Sequence, residues 1–145
     1  MDSPQLECVF CDDIRQEISS KSILIGCYGT HLFTPALPFK IAELCAALKL
    51  RIPRGYKVDG DIKLGLYLDD AVVQEISGQF EEMDIRPETF GEVTETIIFI
   101  GLSVKEINIE KPSILQAKAT INGKQCCGSK LRIMATPPPE PPSSH

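Results

Sequence analysis

Apolar and polar residues alternate strictly in several separate segments of the chain. Successive side chains of a β-strand point to opposite faces, so a period of two predicts a strand with one buried and one solvated face. The pattern is clearest over residues 44–52, 62–68 and 115–121. Its apolar members are Leu44, Ala46, Leu48, Leu50, Ile52, Ile62, Leu64, Leu66, Leu68, Leu115, Ala117, Ala119 and Ile121. Repeated alternation of this kind indicates antiparallel sheets packed face to face.

Turn-forming residues divide the chain into hairpins. A first hairpin is predicted over residues 5–34, with its turn in the polar run 19–22 and a proline-bracketed loop after it. Strands follow over 43–52, 61–69 and 71–76, and residues 77–91 are predicted to form a long connection.

The second half of the chain contains the clearest hairpin. A central strand is predicted over 92–104, followed by strands over 114–121 and 125–134. Asn122-Gly123 lies between the last two strands and accepts the positive φ values of a type I′ turn.

These elements predict an all-β fold of about eight strands, a two-sheet antiparallel sandwich of immunoglobulin-like or related topology. A closed barrel is the alternative that the pattern leaves open. Residues 1–136 form the single predicted domain, and the proline-rich tail 137–145 is expected to be disordered.

Composition narrows the classes of partner. The chain has 145 residues, a net charge of −5 and no tryptophan, so it lacks the basic stripe and stacking platforms that nucleic acid requires. No basic leader precedes an apolar segment, and no apolar run is long enough to cross a membrane. We therefore expect a cytoplasmic protein whose six cysteines are mostly reduced, with no nucleic-acid or membrane partner.

The densest charged cluster beside apolar strands comprises Asp12, Asp13, Arg15 and Glu17. Adjacent residues of a strand face opposite sides, so the two aspartates form no acid–base pair unless a bulge re-aims one of them. The structural interpretation is that one aspartate binds turn amides while Arg15 pairs bidentately with the other. A partner-binding patch is the functional alternative.

The cysteines suggest a metal site. Cys8, Cys11, Cys126 and Cys127 would supply four thiolates to zinc, but the members of each pair face opposite sides of a strand. Free thiols in the core or at the surface are the simpler interpretation, so no cofactor is expected; zinc binding or redox chemistry is the alternative.

A hydrolytic site would have to use His31 as its base, because the other histidine lies in the tail. No Gly-x-Ser-x-Gly elbow accompanies this histidine. An enzyme is therefore not expected, and a small hydrolase that joins His31 to the two aspartates is kept as a second alternative.

The run 9–17 (VFCDDIRQE), the polar turn around Lys21 and the return strand 23–29 (ILIGCYG) resemble an uncharacterised domain family of small bacterial proteins. Similar members open with a strand that ends in Cys-Asp-Asp-x-Arg, followed by a return strand of the Ile-Gly-x-Tyr type. The segment 116–123 (QAKATING) is similar to the final hairpin of that family. The resemblance implies a bacterial all-β protein and implies no activity.

The leading functional hypothesis is a non-enzymatic interaction module. An open sandwich leaves unpaired backbone groups at its sheet edges, and a strand of another protein can complete them. The same edges permit a homodimer.

Overall fold

The computed structural model describes residues 3–19, 21–79 and 95–137, and these residues form strands and no helix. None of the described residues forms a helix that could cross a bilayer. The strands are Gln5–Gln16 (β1), Ser22–Cys27 (β2), His31–Thr34 (β3), Phe39–Pro53 (β4), Asp61–Leu68 (β5), Ala71–Gln79 (β6), Glu95–Ile109 (β7), Ser113–Ile121 (β8) and Lys124–Ala135 (β9).

The strands form two sheets that pack face to face. One sheet has the order β2-β1-β4-β7, and the other has the order β3-β9-β8-β5-β6. No described strand belongs to both sheets, so the predicted sandwich is confirmed and the closed barrel is wrong.

The core between the sheets follows the alternation in the sequence. Most inward-facing residues of β4, β5 and β8 are almost fully buried, and most of their outward neighbours in β5 and β8 are more exposed. The largest fully buried side chains are Leu44, Leu48, Leu50, Ile52, Ile62, Leu64, Leu66, Ile98, Ile109, Leu115, Ile121 and Leu131. Burial of this apolar surface is the main favourable contribution to folding.

Two features differ from the prediction. Strand β3 was expected to continue the first hairpin, but it pairs in parallel with β9 in the other sheet. The backbone leaves the first sheet after Cys27, and Leu32 and Thr34 then point into the core beside β9. Strand β4 begins at Phe39 and β7 continues to Ile109, because these two strands pair along their whole length.

Parts of two predictions lie outside the described residues. The long connection 77–91 overlaps β6 up to Gln79, and the remainder lies outside. The predicted tail lies outside beyond residue 137, and so do the first three residues of the predicted strand 92–104.

Two tight turns close hairpins, and the one at Asn122-Gly123 confirms the prediction. Asn122 and Gly123 have φ values of 53° and 74°, and Asp69 and Asp70 have φ values of 47° and 69°. These values match the two central positions of a type I′ turn, which suits the twist of paired strands. Asn122 also fixes the loop between β4 and β5, because its Oδ1 accepts from the Asp59 amide and its Nδ2 donates to the Lys57 carbonyl, both at 2.7 Å.

Replacing Asn122 tests this double role. Asn122→Ala removes both side-chain hydrogen bonds and the tolerance for positive φ, so we expect the free energy of unfolding to fall by about 1–3 kcal/mol. Asn122→Asp retains the acceptor and much of the tolerance, so its loss should be smaller. Urea denaturation of the two variants measures the difference, and equal losses would contradict the assignment.

Candidate functional site

The first hairpin extends beyond the sheet that contains it. Strand β1 pairs with β4 from Gln5 to Cys11, and after that point β2 is its only partner among the described strands. The outer half of the hairpin comprises residues 12–19 and 21–26, and we call it the arm. The cluster Asp12, Asp13, Arg15 and Glu17 lies entirely on this arm.

The arm lies across the outer face of its own sheet. Cys45 and Ala47 point away from the core, yet they are only 3% and 6% exposed. The side chain of Ile14 comes so close to β7 that a Cβ on Gly101 would lie 3.3 Å from its Cδ1. Gly101 is the cross-strand partner of Ala47, so the arm covers small residues that let it approach closely.

A cleft of about 700 Å³ lies between the arm and the sheet. This volume is within the range of small-molecule and peptide sites. The arm contributes Asp13, Ile14, Gln16, Ser19, Lys21 and Ser22, and the sheet contributes Glu43, Cys45, Ala47, Phe99, Gly101, Leu102 and Ser103.

The cleft is amphipathic. On its floor Ser103 donates a hydrogen bond of 2.8 Å to Glu43. Phe99 also lines the cleft, and its ring centre lies 6.0 Å from the ammonium of Lys49. The floor residues at one end are small and apolar, whereas the arm contributes mainly polar groups. Such a surface offers contacts for binding, and the described residues that line it include no histidine beside a nucleophile.

Gly26 and Asp12 pack against each other at the base of the arm and set the direction in which it leaves the sheet. We call this position the joint. Gly26 has a φ of +66°, and a Cβ at this position would lie 2.2 Å from Oδ2 of Asp12. The other carboxylate oxygen of Asp12 accepts a hydrogen bond from the Tyr28 hydroxyl. Burial, together with this hydrogen bond, raises the pKa of Tyr28 to about 12. Asp12 therefore occupies the space that a side chain at position 26 would need, and the positive φ also favours glycine there.

The remaining members of the charged cluster differ in part from the expected arrangement. Asp13 accepts from the neighbouring Ile14 amide within β1 at 2.9 Å and from Nε of Arg15 at 3.1 Å, so both contacts fall on one aspartate and neither involves a turn amide. The contact with Arg15 is single rather than bidentate, and the two exposed charges contribute little to stability. The amide of Glu17 donates to the Lys21 carbonyl at the tip of the hairpin.

Cys8 and Cys11 face opposite sides of β1, as their spacing predicted. Cys8 belongs to the core between the sheets, and burial raises its pKa to about 12. Cys11 is fully buried on the outer side. Burial, followed by the nearby thiols of Cys45 and Cys27, raises the pKa of Cys11 to about 11.

The structure places three cysteines in one row across adjacent strands. Cys11 is directly opposite Cys27 on β2 and directly opposite Cys45 on β4. Cys27 is exposed, whereas the other two are buried. The motif Cys8-x-x-Cys11 does not mark neighbouring thiols. The thiols beside Cys11 belong to Cys27 and Cys45, which are distant in sequence because they lie on adjacent strands.

The four cysteines considered for zinc do not form a cluster. Cys126 and Cys127 lie on β9, where the thiol of Cys126 contacts the Pro4 carbonyl and Cys127 is exposed. Across residues 3–19, 21–79 and 95–137, no three His, Cys, Asp or Glu side chains come close enough to hold a metal.

His31 lies on β3, in the sheet opposite the one that contains Asp12 and Asp13. Its ring stacks on Phe33 with centres 5.7 Å apart, and Nδ1 lies 2.7 Å from the Thr30 hydroxyl. It does not line the cleft under the arm, so the pocket required by the hydrolase hypothesis is not formed there.

Comparison with known proteins gives a match over most of the chain. The model of DUF6941, a family of unknown function, matches residues 7–134. The resemblance to an uncharacterised domain family is confirmed by this match. A search of curated proteins found no match.

The joint at Gly26 has a matched control in the same segment. Gly26→Ala forces a side chain into positive φ and against Asp12, so we expect a loss of at least about 1–2 kcal/mol in the free energy of unfolding. Gly29→Ala meets no atom within 4 Å and should change stability little. Urea denaturation measures both variants. Similar losses in the free energy of unfolding would show that position 26 requires glycine no more than position 29 does.

Alkylation by iodoacetamide should distinguish the thiols by burial and pKa. We expect the exposed Cys27 and Cys127 to react first, and Cys8 and Cys11 to react last, because burial limits access and their raised pKa values leave little thiolate at neutral pH. Peptide mass mapping over time measures the order, and labelling in urea provides the unfolded control. Reaction of Cys11 as fast as Cys127 would contradict this burial pattern.

Proposed function

Because the chain belongs to the DUF6941 family, whose function is unknown, we propose a function from the geometry: a non-enzymatic interaction module of a bacterial cytoplasm. It accepts an extended segment of a partner protein at the free edge of β2. The observation that carries the proposal is an edge strand without any charged residue or proline.

Among the strands that the structure describes, β2 pairs only with β1, so no described strand pairs with the backbone amides and carbonyls on its other side. Its sequence, SILIGC over Ser22–Cys27, contains none of the charges or prolines that usually protect an edge from pairing. The other edge strands do have protection. β3 is only four residues long, β6 contains Glu75, and β7 contains Lys105 and Glu106.

The side chains of β2 add an apolar contact surface to this edge. Ile23 and Ile25 project from the same face and are 42% and 41% exposed. In strand addition the backbone hydrogen bonds supply affinity, and alternate side chains supply specificity. A partner segment with apolar residues at alternate positions would complement these two isoleucines.

The dimensions of the edge favour a transient partner over a permanent dimer. Six residues of β2 span about 20 Å. A stable interface between two proteins usually buries more than about 1,000 Å² in total. Strand addition over this short edge is therefore suited to an extended segment of another protein, whereas pairing of two copies through β2 would need further contacts.

The proposal is tested by photo-crosslinking the partner to the edge of β2. A photoreactive phenylalanine analogue at position 25 identifies the partner and its segment in the native host, and the same analogue at position 72 is the control. Val72 is a matched site because it is 59% exposed and lies on β6, the edge of the other sheet. The crosslinked segment is then made as a peptide for titration calorimetry.

We expect the double variant Ile23→Lys/Ile25→Lys to weaken peptide binding by at least about tenfold, and Val72→Lys to leave it unchanged. Amide hydrogen exchange over residues 22–27 should slow on binding, since new backbone hydrogen bonds form there. Unchanged affinity of the double variant would refute the proposal. A dimer in sedimentation equilibrium that this variant dissociates would instead identify a second copy as the occupant.

A further inference from the structure

Cys11 and Cys27 form a facing pair of thiols on adjacent strands of the first hairpin. They are direct partners in the register of β1 and β2, and the Tyr28 amide donates to the Phe10 carbonyl one residue outside them. This flanking bond identifies Cys11–Cys27 as a non-hydrogen-bonded pair, the kind in which opposite Cα atoms are closest, at about 4.5 Å. That separation is within the range that disulfides span.

The two thiols differ in access to solvent. Cys27 is exposed, and Cys11 is fully buried between Cys27 and Cys45. A reagent in solution therefore reaches Cys27 first, and the thiol directly opposite can then displace it.

We propose that Cys27 and Cys11 form a redox modification site, in which low-molecular-weight disulfides such as oxidised glutathione convert the facing thiols to an intramolecular disulfide. The site is independent of strand addition at β2, so the failure of either proposal leaves the other standing. It also differs from the Cys8-x-x-Cys11 motif, whose members point to opposite faces.

The chemistry proceeds in two exchange steps. The Cys27 thiol loses its proton and attacks one sulfur of oxidised glutathione; the glutathione S–S bond breaks and one glutathione leaves. The Cys11 thiol then loses its proton and attacks the Cys27 sulfur, and the second glutathione leaves as the Cys11–Cys27 bond forms. Two electrons pass from the protein thiols to oxidised glutathione, which becomes two molecules of reduced glutathione.

The test uses the full chain, oxidised glutathione and non-reducing tryptic mapping at mildly alkaline pH. Cleavage after Arg15, Lys21 and Lys40 places Cys11 in peptide 1–15 and Cys27 in peptide 22–40, whereas Cys45 falls in peptide 41–49. Fragmentation spectra distinguish Cys8 from Cys11 within the first peptide. We expect a disulfide between Cys11 and Cys27, joining peptides 1–15 and 22–40.

Variants at exposed positions keep the test free of folding defects. Cys27→Ser should abolish the link between the two peptides, and Cys127→Ser should leave it unchanged. Cys127 is the matched control, since it is exposed but faces Lys118 and should stop at the mixed disulfide with glutathione. In the oxidised wild type, amide exchange over residues 12–26 should slow, and this change should be absent in Cys27→Ser.

Three results would overturn the proposal: a mixed disulfide on Cys27 that never resolves, a link from peptide 1–15 to peptide 41–49 in its place, or a link to peptide 22–40 that fragmentation assigns to Cys8. Each result would show that Cys11 and Cys27 do not act as a pair in the folded protein.

Discussion

The arrangement of the molecule depends on the burial of both faces of β4. Its inward side chains fill the core between the sheets, while Cys45 and Ala47 on the other face are also removed from solvent. A single sheet cannot cover its own outer face, so another part of the chain must do so. The arm of the first hairpin supplies this cover, and its course determines the cleft, the joint at Gly26 and the position of the β2 edge.

Burial on the outer face also explains the choice of residues there. Ala47, Gly101 and Cys45 are small, so the arm can lie close to the sheet through Ile14. Larger side chains would hold the arm away and would widen the cleft. At the base of the arm, the positive φ of Gly26 and the carboxylate of Asp12 set the direction in which the hairpin leaves the sheet. They thereby bring the arm over the same outer face.

The sequence was sufficient to predict the strands but insufficient to predict how the arm folds. Alternation identifies an inward face, and it placed Leu44, Leu48 and Leu50 correctly. It does not identify the neighbour of a strand, so the parallel pairing of β3 with β9 was missed. The continuous apolar run 44–48 was a usable signal of burial on two faces, because a strand with one wet face rarely lacks polar residues for so long. The pairing of Cys11 with Cys27 could likewise be predicted from the sequence, because a hairpin centred on Ser19 places residues 11 and 27 opposite each other.

The arm must satisfy two opposing physical demands. Its inner side needs apolar contact with the sheet, and none of the described strands pairs with its outer edge, β2. Proteins usually protect such an edge with charge. Here the charges are on β1, at Asp13 and Arg15, and β2 itself has none. Its short length and the irregular backbone at Gly26 limit unspecific pairing, so the edge stays available to a segment that fits these six residues.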